Sequence, residues 1–270
     1  MPELPEVETT KRGILPHLKN QQIAGIIVRQ PKLRYEVPDN IAHMLKNQKI
    51  LDVSRRAKYL IINLSSGYLL IHLGMSGCLR ITDEKTVIGK HDHIDLILSD
   101  NTILRYNDPR RFGLWLYEND DPDEHRLLKN LGPEPLTEDF NANYLMERAK
   151  NKPIKAFIMD NNIVVGVGNI YATESLYLNK IHPLTPANKL TIAQYTNLCQ
   201  TIKEVLQKSI IAGGTTLRDF YAANGKPGYF VNELKVYGKK GAPCPKCKTA
   251  IDTVTITGRT TAFCPECQQL

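Results

Sequence analysis

Nothing in this sequence is both long and apolar. No hydrophobic run approaches the ~20 residues that span a bilayer, so a helical membrane protein is excluded. The N-terminus lacks a basic stretch followed by an apolar one, so no secretory signal is expected and the chain reads as cytoplasmic. There is no internal repeat and no low-complexity tract. Hydrophobic content of 42% and charged content of 23% exclude wholesale disorder. Gly166-Val167-Gly168 lacks the third glycine of a dinucleotide fingerprint. Cysteines are few, six in 270 residues. In a reducing compartment, paired cysteines mean metal more often than disulfide.

What is present is unevenly distributed. Residues 1–150 carry 21 Lys+Arg against 21 Asp+Glu, and residues 151–270 carry 14 against 7, so the whole +7 net charge lies in the second part. A basic half suits a polyanion such as nucleic acid, although a solvated basic face would look the same. The length allows one large domain or two modest ones.

The pattern along the chain predicts a helix over 5–18, with Val7, Ile14, Leu15 and Leu18 on one face. Short β-runs follow at Ile23–Val28, Ile50–Ser54, Lys58–Leu64, Tyr68–Leu73, Asp92–Leu98, Thr102–Tyr106 and Leu114–Tyr117, with a short helix near Asp39–Lys46. Ser65-Ser66-Gly67 and Ser99-Asp100-Asn101 read as hairpin turns. Closely spaced strands of this kind suggest an antiparallel sandwich. After an acidic loop and a linker at 131–135, the pattern is helical: Asp139–Lys150, Ile154–Asp160, Ile170–Leu178 and Ile192–Ile211. Thr191 and Gln194 make a capping box for the last of these.

The chain opens Met1-Pro2-Glu3-Leu4-Pro5-Glu6. Removal of Met1 would leave Pro2 as a free secondary amine beside a carboxylate. Such an amine is partly neutral near neutral pH, and its adduct with a sugar is an iminium that acts as an electron sink. An adjacent acid can protonate the ring oxygen or the leaving group. The same prolines also suit the first turn of a helix, so on these residues alone both readings stand.

Cys244-Pro-Lys-Cys247 and Cys264-Pro-Glu-Cys267 are two knuckles that can give four thiolates to one zinc, with no open coordination position and hence a structural role. Between them lies a hairpin with Arg259 at its tip. Arg55-Arg56-Ala57-Lys58 is a basic cluster, ordinarily solvent-facing, in which Lys58 could face a cleft. Met75, between Gly74 and Gly77, reads as filler or as an exposed wedge. Arg110 and Phe112 share one loop, where a core role is the default for the ring. Gly168-Asn169 opens a helix whose N–H groups could meet a phosphate. Arg218–Phe230 looks like a loop able to close over a ligand.

Taken together, these segments resemble the formamidopyrimidine-DNA glycosylases, enzymes that remove oxidised purines such as 8-oxoguanine. The resemblance runs from Pro2 to Cys267. It implies an α+β multidomain protein: an N-terminal antiparallel β-sandwich with an N-terminal helix (1–130), a helix–two-turn–helix domain (131–230) and a C-terminal β-hairpin zinc finger (231–270). It implies a bacterial, nucleoid-associated monomer acting on double-stranded DNA, with one structural Zn2+ on Cys244, Cys247, Cys264 and Cys267. Pro2 is then the nucleophile and Glu3 the acid/base, with Lys58 beside them and Glu6 orienting the N-terminus. His72, His91, Asn169 and Arg259 join Lys58 in holding DNA. Met75, Arg110 and Phe112 fill the space of the everted base, with Arg110 facing the orphaned cytosine. Ala262 stands where the family favours an aromatic. An endonuclease VIII-like enzyme for oxidised pyrimidines would share Pro2, Glu3 and the zinc hairpin. A non-catalytic zinc-ribbon DNA-binding protein is the remaining alternative.

Overall fold

The computed structural model describes residues 2–215 and 230–270, which form two compact units. The first comprises residues up to 129 together with the segment beginning at 212, and the second comprises 130–211 and 230–270. The suggested loop at 218–230 lies outside the described residues except for Phe230.

The first unit begins with helix α1 (Leu4–Leu18). Two four-stranded antiparallel sheets follow. One has the order β1 (Ile23–Val28), β6 (Asp92–Leu98), β7 (Ile103–Asn107), β5 (Cys78–Thr82). The other has the order β2 (Ile50–Arg56), β3 (Tyr59–Leu64), β4 (Tyr68–His72), β8 (Leu114–Glu118). A short helix α2 (Ile41–Leu45) lies between β1 and β2 in the chain. Both suggested hairpins form: Tyr68 pairs with Asn63 across Ser65–Gly67, and Ile103 pairs with Ile97 across Ser99–Asn101. Val7, Ile14 and Leu18 of α1 are fully buried in one core with Leu60, Ile62, Leu69, Ile71, Leu96, Leu104 and Trp115. Each fully buried aliphatic side chain contributes about 1.5–3 kcal/mol relative to exposure, so α1 is fixed by its apolar stripe.

Two expectations about the strands need correction. Strand β5 is absent from them, because five residues directly after a glycine-rich turn carry too short an alternation to stand out. Lys58 opens no strand; it shares a two-residue turn with Ala57, and Arg56 pairs with Tyr59 across it.

The second unit is helical, with α3 (Ala142–Arg148), α4 (Ile154–Ile158), α5 (Asn169–Leu178) and α6 (Ile192–Ile211). Helix α3 is shorter than the Asp139–Lys150 expectation, because Asn141 caps it by accepting the Tyr144 N–H at 3.0 Å. The Thr191–Gln194 box forms in both directions, at 2.8 and 3.3 Å. The hairpin β9 (Asp252–Ile256) and β10 (Arg259–Phe263) completes the unit, turning on Thr257 and Gly258, both with positive φ. No helix among the described residues is long and apolar enough to cross a membrane.

Candidate functional site

In the first unit the residues at the start of α1 are buried. Glu3 is 2% exposed and Glu6 1%. Pro2 is buried too. Glu6 uses both carboxylate oxygens: Oε2 accepts the Glu3 N–H at 2.8 Å, and Oε1 accepts the Thr215 N–H at 2.7 Å. Gly214, with φ +84°, lies against this carboxylate; a Cβ there would stand 3.2 Å from Glu6 Oε1. One side chain therefore fixes the N-terminal peptide to the 214–215 backbone.

Arg55 makes a second tie. Its Nε donates to Glu8 Oε2 of α1 at 3.0 Å, and its Nη1 donates to the Ala57 carbonyl at 2.8 Å. The Arg55 side chain is only 11% exposed, so this cation is not solvent-facing as expected. Burial pushes the Glu8 carboxyl up, but hydrogen bonds from Lys11, Arg55 and Arg12 outweigh it and hold it below its ordinary value. The turn that carries Lys58 is thereby linked to the helix that carries Glu3. The sequence offers no signal for this pairing of residues 47 positions apart.

His72 ends β4, with its ring 4.8 Å from that of Tyr59. Its Nδ1 accepts the Gly74 N–H at 2.9 Å, which leaves Nε2 as the protonated donor of a neutral ring. Burial, then the charges of Lys58 and Arg34, lower its pKa to about 4. Arg34, missed in the sequence, thus belongs to the same electropositive surroundings.

Met75 and Phe112 are 39% and 45% exposed, so neither is core. The Arg110 guanidinium stands 5.0 Å from the centre of the Phe112 ring. Their two loops touch: a Cβ on Gly74, whose φ is +65°, would lie 2.5 Å from Gly113 N. Asp108, fully buried, holds both loops. Its Oδ1 accepts from Ser76 Oγ at 2.9 Å and Arg110 N at 3.2 Å, and its Oδ2 accepts from Tyr106 OH and Gly113 N at 2.9 Å each. Its own N–H donates to the His91 carbonyl at 3.0 Å. His72, Met75, His91, Arg110 and Phe112 therefore belong to one connected group. Asp108 is visible in the motif, but its role is not.

In the second unit Asn169 is the first residue of α5. Buried Lys155, 1% exposed, donates to Asn169 Oδ1 and to Thr261 Oγ1. Asn169 Nδ2 donates to the Thr260 carbonyl at 3.2 Å. Exposed Arg259 begins the strand that carries both threonines. Glu174, also absent from the sequence expectations, is 3% exposed and accepts the N–H groups of Lys235, Val236 and Tyr237 at 2.8–2.9 Å.

The sulfurs of Cys244, Cys247, Cys264 and Cys267 lie within 4.8 Å of one another, the spacing of a four-cysteine metal site. Ala262 packs beside them with Val236 and Ile251. Cys78 and Cys199 are ordinary buried thiols, raised by burial to about 11 and about 12.

Family models match three stretches of the chain: the formamidopyrimidine-DNA glycosylase N-terminal domain over 1–115, the formamidopyrimidine-DNA glycosylase H2TH domain over 131–221, and a zinc finger found in FPG and IleRS over 241–270. The formamidopyrimidine-DNA glycosylase of Legionella pneumophila (strain Lens) is 54% identical over 272 residues, covering 100% of this chain and 99% of its own. A Lactococcus lactis FPG mutant in complex with a Fapy-dG containing DNA superposes with a TM-score of 0.92 at 37% identity, covering 100% of both chains. MutM in complex with carbocyclic 8-oxo-G containing DNA gives 0.91 at 37% identity, again over 100% of both. With matching domains in order and curated relatives aligned end to end, the chain belongs to the formamidopyrimidine-DNA glycosylase family.

Proposed function

We infer that this chain is a bifunctional DNA glycosylase and abasic-site lyase that removes oxidised purines, formamidopyrimidines and 8-oxoguanine, from double-stranded DNA. The observation that carries the reading is the N-terminal arrangement: Pro2 and Glu3 are buried at the start of α1, and the Glu6 carboxylate grips the peptide between them and the 214–215 backbone.

With Met1 removed, the Pro2 nitrogen is a secondary amine. Its lone pair bonds to C1′ of the damaged nucleotide, the glycosidic electron pair leaves with the base, and the amine's N–H proton passes to the departing base. Glu3 delivers a proton to the sugar ring oxygen, the nitrogen lone pair then expels that oxygen as a hydroxyl, and the ring opens to leave an iminium. The iminium acidifies C2′. Loss of that proton expels the 3′ phosphate, and a second elimination expels the 5′ phosphate, leaving a one-nucleotide gap.

The target base must first leave the stack, at a cost of a few kcal/mol. Met75, Arg110 and Phe112 offset this by occupying the hole. Arg110 faces the orphaned cytosine. Lys58, His72, His91, Asn169 and Arg259 hold the phosphate backbone, which positions the duplex without reading its sequence. Cys244, Cys247, Cys264 and Cys267 hold one zinc, whose role is to fold the hairpin. The protein acts as a monomer.

Borohydride trapping tests the reading. Wild type incubated with 8-oxoguanine:cytosine duplex and borohydride gives a covalent adduct located at Pro2 by mass, and Pro2→Gly binds the duplex with most of the adduct lost. Excision at the wild-type rate by protein that retains Met1 would rule out this mechanism.

A further inference from the structure

Helix α5 does more than present Asn169. Near its other end Tyr177, 1% exposed, places its hydroxyl 3.2 Å from the Sγ of fully buried Cys244. Both belong to a small apolar cluster with Val236, Ile251, Ala262 and Cys264. A buried tyrosine hydroxyl needs a polar partner. In this pair that partner is a sulfur of the four-cysteine group.

We propose that Tyr177 is a positioning residue for the metal site, donating its hydroxyl hydrogen to the Cys244 thiolate and thereby helping the second unit retain its zinc. The proposal rests on the zinc reading above. A zinc-bound cysteine is a thiolate with no proton of its own, so the hydroxyl must donate. The bond orients the sulfur and draws electron density from it. Partners of this kind are worth roughly 10–100-fold in metal affinity. Both Cys244 and Cys264 accept backbone N–H groups within their own knuckles, from Lys246 and Cys247 and from Glu266 and Cys267; the Tyr177 hydroxyl adds to Cys244 a donor from a different element 67 residues away. The hairpin that displays Arg259 is thus joined to the helix that displays Asn169 at the metal ligand itself. The Lys246 ammonium stands over the Tyr177 ring, 5.7 Å from its centre.

The test uses the full chain with Tyr177→Phe, which keeps the ring and deletes only the hydroxyl, and Lys246→Ala as a control. Zinc content is measured first, then zinc transfer to a chromogenic chelator. Wild type and Lys246→Ala are expected to retain one zinc and release it at similar rates, while Tyr177→Phe releases it roughly tenfold faster. The second readout is the cobalt-substituted protein. With the hydrogen bond gone, the sulfur-to-cobalt charge-transfer band moves to lower energy, while the tetrahedral d–d bands persist and report an intact site. Wild-type release and an unmoved band in Tyr177→Phe overturn the proposal and leave the zinc reading standing. Absence of zinc from the wild type overturns the zinc reading itself, and this proposal with it.

Discussion

Glu6 serves two backbone donors with two oxygens, and that count decides what a substitution does. Glutamine at this position has one carbonyl oxygen and one NH2 group. It can accept from the Glu3 N–H or from the Thr215 N–H, but not both, and its NH2 group would face a donor. A buried donor left unpaired costs about 1–3 kcal/mol. Glu6→Gln is therefore expected to slow single-turnover excision by roughly 5–150-fold while leaving duplex affinity within a few-fold, because Glu6 is 1% exposed and its carboxylate is bound to the N-terminal peptide and the Thr215 N–H. Excision at the wild-type rate would remove Glu6 from the positioning role. His72 gives a pH prediction. Its folded pKa, about 4, lies below the ordinary 6.5 because of burial and then the Lys58 and Arg34 charges. Between those values the unfolded chain binds a proton that the folded chain refuses. Stability should therefore fall as pH drops from 6.5 towards 4, and His72→Gln should flatten that part of the profile. In an NMR titration the His72 ring resonances should stay at their neutral positions down to about pH 5; a midpoint near 6.5 would contradict the geometry.

Among the elements, the loops at 73–77 and 108–113 show how one buried carboxylate ties together two loops that each carry a partly exposed apolar side chain. Met75 and Phe112 are 39% and 45% exposed, and the backbone of the loops that carry them is tied by the four hydrogen bonds that Asp108 accepts. Asparagine offers one acceptor oxygen in place of two. Asp108→Asn should lower the unfolding free energy by about 2 kcal/mol and weaken the preference for cytosine over adenine opposite 8-oxoguanine, because Arg110 loses its backbone anchor. A variant with lower Tm and unchanged opposite-base preference would show that Asp108 supports the fold alone. These loops also mark the limit of what is legible in the sequence. Helix α1, the long helix α6 and seven of the eight sandwich strands follow from local periodicity and turn residues, which each segment carries within itself. The metal knuckles follow from spacing. Asp108, Arg55, Lys155 and Glu174 do not, because their roles come from partners distant in the chain. A buried charge is indistinguishable in sequence from a solvated one until the fold brings its partners to it.

The two units differ in what holds them, and this separates the effect of metal from the effect of fold. The first has a large apolar core that includes the chain's single tryptophan, fully buried Trp115. Among the described residues, the hairpin end of the second has a small core in which Tyr177, Val236, Ile251 and Ala262 surround the cysteines. A two-stranded hairpin with so little buried area is marginal on its own, so the metal must supply its folding free energy. Cys264→Ser removes one ligand and leaves the first unit untouched. The variant is expected to lose its zinc by metal analysis, while the Trp115 fluorescence transition in denaturant keeps the wild-type midpoint. Duplex affinity should fall at least roughly tenfold, since Arg259 is displayed by β10 and Asn169 leans on the Thr260 carbonyl of the same strand. The salt dependence should change with it. Each phosphate neutralised contributes about −0.9 to the slope of log K against log salt, so removing Arg259 from the backbone, alone or together with Asn169, should make the slope shallower by about one or two. A variant that loses zinc yet keeps wild-type affinity and slope would separate the hairpin from DNA binding. One that also shifts the Trp115 midpoint would show that the metal supports the first unit as well.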